Sequence, residues 1–318
     1  MVTDSIRKKL RPGISVVVPV YRGSASLPAL MEQLGEVLPT LANRFECILV
    51  NDGSPDNSCE VMMDLARRHT WIRPLNLLRN FGQHNATLCG IRHAHFDVLV
   101  TMDDDLQHPP EEIAKLIRRL NEGFDVVYGP PEKEKHSLFR NVASVITKLA
   151  LQSAMGAENA RQSSAFRVFR TRLRRAFADY QSPTVSIDVL LTWATTRFSA
   201  VPVRHESREL GTSGYTVRKL VSHALNVMTG FSTLPLRIAN LVGLFIILFG
   251  VATFSHVIYL KLRYETAVPG FAFLVAIISV FAGTQLMSLG IIGEYLARMH
   301  TRMMDRPTYV VDPEEGDD

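Results

Sequence analysis

Short apolar runs alternate with amphipathic stretches through the first part of the chain. ISVVVPVY (Ile14–Tyr21) is rich in valine and ends just past a proline, which predicts a strand buried on both faces. Leu27–Leu41 has helical spacing. Glu46–Asp52 predicts a second strand. NDGSPDNS then supplies turn chemistry, with Asn57 or Ser58 placed to cap the next helix. Further strands are predicted over Arg73–Arg79, Asp97–Met102 and Phe124–Tyr128, and helices over Asn85–Ala94 and Glu111–Asn121. This alternation predicts an α/β domain, a mostly parallel sheet with helices on both faces. Such sheets bind ligands at the carboxyl ends of their strands. There the chain places Pro19, Val20 and Tyr21, then Asn51, Asp52 and Gly53, then Asp103, Asp104 and Asp105.

The pattern changes further along. Ile238–Leu260 and Thr266–Gly293 contain no charged residue. A bilayer core needs roughly 20 apolar residues as helix, so both runs are long enough to span it. The alternative is a pair of buried core helices. Two such runs joined by the short connector Lys261–Glu265 favour a membrane hairpin, with helices over 238–260 and 270–293. Upstream, Val217, Leu220, Val221, Ala224, Leu225, Met228, Phe231 and Leu234 recur near a 3.6-residue period, with Arg218, Lys219 and His223 on other faces. That spacing predicts a helix lying in the membrane interface, or else one packed on the soluble domain. Asn240, His256 and Gln285 inside the spans suit helix–helix hydrogen bonds. Flanking positive charge is divided, because Lys261 and Arg263 in the connector oppose Arg237, Arg298, Arg302 and Arg306. The polar N-terminal part has no export signal, which places it on the cytoplasmic side of the cell membrane. The expected organisation is a soluble domain over 1–205, a juxtamembrane segment over 206–237, the hairpin over 238–293 and a cytoplasmic tail over 294–318.

Composition changes this picture little. A net charge of +4 over 318 residues is too weak a bias for nucleic acid. Cys47, Cys59 and Cys89 show no metal-type spacing and read as reduced, buried thiols. The first strand is followed by YRGSAS, with neither a G-x-G-x-x-G nor a P-loop pattern. If phosphates bind, a metal bridging them to carboxylates is the substitute for a glycine-rich cradle. Side chains alternate along extended backbone, so Asp103 and Asp105 are expected on one face and Asp104 on the other. With Gln107 they offer the oxygen ligands that Mg²⁺ or Mn²⁺ prefers. The competing reading is a solvated turn. Glu111 and Glu112, at the start of a helix, fit helix-capping acids.

Four motifs now stand in order: PVY at Pro19–Tyr21, NDGSPDNS at Asn51–Ser58, NFGQHNATLCG at Asn80–Gly90 and DDDLQHPPEE at Asp103–Glu112. Together they resemble the family-2 glycosyltransferases of GT-A fold, a Rossmann-like arrangement. Within these the chain is most similar to the polyprenyl-phosphate glycosyltransferases, a group that includes dolichyl-phosphate mannose synthases, bactoprenol glucosyltransferases and undecaprenyl-phosphate 4-deoxy-4-formamido-L-arabinose transferases. The two-helix tail ending in GIIGEY (Gly290–Tyr295) extends the likeness over nearly the whole chain. The resemblance implies that Pro19, Tyr21 and Asp52 line the nucleotide base and ribose, with Asn80, Gly82 and Gln83 near the base. Asp103 and Asp105 would hold the metal–diphosphate, with Gln107 beside it. Tyr21 as a turn residue and Gly82 as a conformational hinge are the plainer alternatives. The resemblance further implies a nucleoside-diphosphate sugar donor, with uridine as its base, an undecaprenyl phosphate acceptor at the membrane, and a homo-oligomer, a tetramer in relatives.

A polyprenyl phosphate is already an anion and attacks the anomeric carbon without a general base. The protein must instead stabilise the departing diphosphate and hold two anionic partners together. Arg140, Arg167 and Arg208 fall where the family has arginines, and Asp105, Arg167 and Arg208 are the expected catalytic groups. Arg208 lies in RELGTSGY, where Gly214 replaces the usual lysine of the family, and Arg218 or Lys219 are the available substitutes. Two other readings remain open. One is transfer to a lipid alcohol or polysaccharide with Asp188 as base, and the other is an inactive scaffold or flippase partner.

Overall fold

The computed structural model describes residues 11–132, 162–182, 185–206, 234–264, 270–304 and 306–313. Arg140, Arg208, Gly214, Arg218, Lys219 and the helix expected from Tyr215 onward lie outside the described residues.

The expected alternation is present. It runs β1 (Arg11–Val20), α1 (Leu27–Leu41), β2 (Phe45–Asn51), α2 (Ser58–Arg68), β3 (Ile72–Asn76), α3 (Gln83–His93) and β4 (Phe96–Thr101). A 3-10 turn, Pro110–Glu112, leads into α4 (Ile113–Asn121) and β5 (Val126–Tyr128). Beyond these come β6 (Arg167–Arg170), a 3-10 segment Thr171–Phe177, α5 (Ile187–Ala194) and β7 (Phe198–Ala200). The seven strands form one sheet in the order β3-β2-β1-β4-β6-β5-β7. All neighbours are parallel except β6, which runs antiparallel to both β4 and β5.

Valine alternation explains the two-sided core. Val16, Val18 and Val20 face one way and pack with Leu30 and Leu34 of α1, Met62 of α2 and Leu116 of α4. Val17 faces the other way, with Ile48, Leu99, Leu88 and Ile91 of α3 and Leu190 of α5. Each fully buried aliphatic side chain contributes roughly 1.5–3 kcal/mol, which is why the central strands tolerate almost no polar residue.

Two polar devices hold the ends of these elements. Glu46, near the start of β2, is buried. It accepts the Ser15 hydroxyl at 2.7 Å, the His95 N–H at 2.7 Å and the Arg73 guanidinium at 2.6 Å, and so joins the starts of β1, β2, β3 and β4. Burial alone would raise its pKa, but the hydrogen bonds from His95 and Ser15 and the charge of Arg73 outweigh it and hold the carboxyl at about 2. Arg174 is buried as well. Its Nη1 donates to the carbonyls of Ile91 at 3.0 Å, Arg92 at 3.2 Å and Ala94 at 2.7 Å, and so closes the C-terminus of α3 with a cation.

Several expectations need correction. The third strand ends at Asn76, not Arg79, because its partner β2 ends at Asn51; Leu77 still donates to the Asn51 carbonyl at 3.0 Å and bridges Val311 from the far end of the chain. Neither β6 nor β7 was expected. RVFR places its apolar pair between arginines, and three residues are too few to show a period. Neither Asn57 nor Ser58 caps α2 with its side chain. Asp56 does so, accepting the Ser58 N–H at 3.3 Å and the Ser58 hydroxyl at 2.6 Å. Glu111 and Glu112 do stand at the start of the helix, but Glu112 is buried and pairs with Lys115 at 2.6 Å and Arg204 at 2.9 Å in place of a solvated capping role. Cys59 is only partly buried, whereas Cys47 and Cys89 are buried as expected.

The two uncharged runs form long helices, α6 (Leu234–Tyr264) and α7 (Phe271–Met303), with Phe281 packed over Gly250. Among the described residues no helix is long and apolar enough to cross a membrane, so the expected spanning hairpin lacks structural support.

Replacing Arg174 with methionine removes the donor that three carbonyls share and is expected to cost about 2–4 kcal/mol, read by chemical denaturation. Because the Glu46 pKa is depressed on folding, its contribution of about 3 kcal/mol is complete above the unfolded value near 4.5 and is lost as pH falls toward 2. Thermal melts at pH 5 and pH 3 are therefore expected to show a larger acid-induced loss in the wild type than in Glu46→Gln.

Candidate active site

A cavity of about 290 Å³ opens at the carboxyl ends of β1 and β4, where a parallel sheet is expected to bind. Pro19 from β1 lines it, with Thr101, Met102 and Asp103 from the end of β4. The first turns of α3 add Gln83, His84 and Thr87. Ser163, Ser164, Ala165 and Arg167, which lead into β6, and Asp188 of α5 complete the lining.

The three adjacent acids separate as repulsion requires. β4 has ended by Thr101, so they sit in a turn, not on a strand. Asp103 is half-exposed in the cavity and its Oδ1 accepts a hydrogen bond from Gln83 Nε2 at 2.6 Å. Asp104 turns away beneath the loop after β1. It lies so close to Gly23 that a Cβ there would meet its Oδ2 at 2.2 Å. Burial, then the charges of Asp103 and Asp105, pushes the Asp104 carboxyl up to about 7. Asp105 is half-exposed but does not line the cavity. Its Oδ1 accepts the N–H of Gln107 across Leu106, which adopts a φ of 61°. The Gln107 carbonyl accepts the N–H of Glu206 at 2.9 Å, and this joins the turn to the segment after β7.

Next to that turn stands a pair that sequence reasoning left unused. His108 is buried, stacks on Phe166 at 5.1 Å and meets His205 edge-on at 5.0 Å. Burial and the neighbouring His205 lower the His108 pKa to about 4, so its ring is neutral at neutral pH.

The remaining expected residues are placed differently from one another. Asp52 is buried at the end of β2 and accepts the N–H groups of Phe81 at 2.7 Å and Gly82 at 2.9 Å. Both carboxylate oxygens are thus engaged by the loop before α3, and burial still pushes the Asp52 pKa up. Gly82 has a φ of 97°, a conformation glycine adopts at little cost, and stands at the N-cap of α3. Asn80 is exposed on that loop and Tyr21 is exposed after β1, and neither lines the cavity. Arg167 lines the cavity but is buried and ion-paired with Asp188, and its guanidinium lies 5.9 Å from the centre of the Tyr128 ring.

Gln83, His84 and Thr87 share one face of α3, and helical periodicity was the signal for the latter two. The serine pair before β6 carries no such signal, because the strand it precedes was itself not legible.

Carboxylate and amide oxygens are the donors that Mg²⁺ and Mn²⁺ prefer. Among the described residues no three His, Cys, Asp or Glu side chains converge as a complete cage. Asp103 and Asp105, both half-exposed on the turn after β4, offer carboxylate oxygens of that kind, and Asp103 lines the cavity.

The sequence profile of glycosyl transferase family 2 matches residues 15–181. Among solved structures, glucosyl-3-phosphoglycerate synthase from Mycobacterium tuberculosis is similar in fold. Its complex with Mn²⁺, uridine-diphosphate-glucose and phosphoglyceric acid gives a TM-score of 0.50 at 15% identity, over 72% of this chain and 80% of that one. Its complex with uridine-diphosphate gives 0.51 at 16% identity over the same shares. TarS 1-349 of S. aureus gives a weaker 0.44 at 16% identity, over 69% of this chain and 72% of that one. With its family profile spanning β1 to the segment before α5, and its mixed sheet carrying the acids at the carboxyl ends of the strands, the chain belongs to glycosyl transferase family 2.

Proposed function

We propose that the protein transfers a sugar from a nucleoside diphosphate, UDP by preference, to a polyprenyl phosphate, with inversion, at the cytoplasmic face of the cell membrane. The observation that carries this reading is the cavity itself. It sets Asp103 and Gln83 together where a donor diphosphate would lie, while its other carboxylate, Asp188, is ion-paired with Arg167. That carboxylate is already engaged by an ion pair, and a phosphate acceptor does not require a general base. The complexes of the M. tuberculosis synthase with UDP, Mn²⁺ and UDP-glucose support the choice of donor and metal.

In this reading a phosphate oxygen of the acceptor attacks the anomeric carbon as its bond to the diphosphate breaks, and one displacement inverts the centre. A bound Mg²⁺ or Mn²⁺ supplies Lewis-acid charge to the departing diphosphate. Asp103 and Asp105 would hold that cation. Gln83 orients the Asp103 carboxylate, Arg208 from outside the described residues brings positive charge to the anionic partners, and Arg167, its charge shared with Asp188, shapes the cavity wall. Asp52 acts on the donor through the loop it holds, with Pro19, Tyr21 and Asn80 along the nucleotide.

α6 and α7 supply the membrane contact. Leu241, Phe245, Leu248 and Phe249 of α6 and Leu286 and Leu289 of α7 are exposed, and an apolar surface of this extent is costly in water. The uncharged lengths Ile238–Leu260 and Thr266–Gly293 support a spanning hairpin as its form.

A second reading keeps Asp188 as a general base for an alcohol acceptor, because it does line the cavity with Asp103. Detergent-purified protein with undecaprenyl phosphate, Mn²⁺ and a panel of nucleotide sugars is expected to yield one glycolipid by mass spectrometry. Asp103→Ala and Asp105→Ala are expected to lower the rate at least about 100-fold. Asp188→Asn, assayed on the folded fraction, is expected to retain activity within about tenfold and keep the wild-type pH profile. A loss of 100-fold or more with an altered profile would favour the general base. Alkaline carbonate washing is expected to leave the full chain in the membrane pellet, whereas release into the wash would contradict the hairpin.

A further inference from the structure

The chain beyond α7 returns to the catalytic domain. Val311 forms an antiparallel bridge with Leu77, the Leu78 N–H donates to the Val310 carbonyl at 3.0 Å, and the Asp312 N–H donates to the Asn76 carbonyl at 2.8 Å. β3 is an edge strand, and the returning segment covers the open edge where β3 ends. Its side chains are anchored on α3. Thr308 and Tyr309 are buried, Arg92 Nη1 donates to Thr308 Oγ1 at 3.3 Å, and the Arg92 guanidinium lies 5.6 Å from the centre of the Tyr309 ring. Arg92 is itself fixed by the carbonyls of Ala178 at 3.1 Å and Tyr180 at 2.7 Å.

The place of this contact gives it meaning. The paired residues Leu77 and Leu78 lead directly into Arg79–Gln83. That loop is the one whose Phe81 and Gly82 N–H groups Asp52 holds and whose Gln83 reaches Asp103. Its inner side is held by Asp52, and its approach is held by the tail. Asn76, at the hinge of the two, also accepts the Asn51 side-chain amide at 3.0 Å. Without the tail, the loop would be held on its inner side alone, by Asp52 and by the Asn51 carbonyl that accepts the Leu77 N–H at 3.0 Å, and its outer edge would be open.

We propose that Thr308–Asp312 is a positioning strap for the donor-binding loop, with Tyr309 as its anchor, so that nucleotide affinity depends on a segment remote in sequence from the binding motifs. The proposal rests on the reading of Arg79–Gln83 as part of the donor site. The strap follows α7 within a few residues, so the helix pair and the donor loop are joined by one short stretch of chain.

The test uses the full chain with three substitutions. Asp312→Pro removes the N–H that meets Asn76, Tyr309→Ala removes the anchor, and Tyr309→Phe keeps the ring. The readouts are calorimetric UDP affinity with Mn²⁺, donor KM against kcat, and amide exchange of peptides covering Leu77–Gln83 and, as control, β1. Asp312→Pro and Tyr309→Ala are expected to weaken UDP binding and raise donor KM about tenfold, with kcat within about twofold. Exchange is expected to quicken in Leu77–Gln83 and not in β1, and Tyr309→Phe to behave as wild type. A lower melting temperature with unchanged affinity and unchanged exchange would overturn the proposal, since the tail would then add stability alone. If the wild type binds no UDP, the donor-site reading fails. The strap is then decided by exchange, where an unchanged Leu77–Gln83 overturns it and selective loosening of that loop supports it.

Discussion

The two hydrogen bonds from Phe81 and Gly82 to the Asp52 carboxylate are the constraint on which the site depends. They join the end of β2 to the start of α3, beside the apolar packing of the two elements. A carboxylate accepting backbone N–H groups in a buried place is worth more than the same bonds in water, and is costly to leave half-made. Because the loop is fixed there, Gln83 reaches Asp103, and the acidic end of β4 acquires a partner that orients it. The nucleotide motif and the acidic motif, far apart in sequence, are one structure through this link.

The acidic turn shows how like charge is managed by burial and hydrogen bonding. Of the three carboxylates, one is buried under the β1 loop and pushed toward its neutral form. The other two stay half-exposed, one oriented by Gln83 and one by the backbone of its own turn. That division leaves two half-exposed carboxylates after β4, the pair on which the proposed metal–diphosphate site rests.

Much of this was legible in the sequence because apolar period and turn chemistry act locally. ISVVVPVY could only be a buried strand, and its valines pack on both faces as their alternation demands. The position of the acids after a buried strand was enough to place them at a ligand rim. Asp104 turning away was legible too, although the backbone there is a turn and the cause is burial under the β1 loop, not strand alternation. What was not legible depends on partners distant in sequence. RVFR becomes a strand only because β4 and β5 offer edges on both sides of it. Leu77 and Leu78 find a second partner in the far tail, on the edge away from β2, and no local pattern announces it. Arg167 looked like a free phosphate ligand, and its pairing with Asp188 follows from a contact between β6 and α5 that no local pattern encodes.

The central claim is that the end of β4 is a metal–nucleotide site organised by the Asp52-held loop. The most direct measurement is a crystal structure of the full chain with UDP and Mn²⁺, with data collected for the anomalous signal of manganese. The account predicts one strong peak within ligating distance, about 2.2 Å, of the Asp103 and Asp105 carboxylates, with the diphosphate completing its shell and the Asp52 bonds to Phe81 and Gly82 intact. Uridine diphosphate bound elsewhere, or a manganese peak away from both carboxylates, would contradict it.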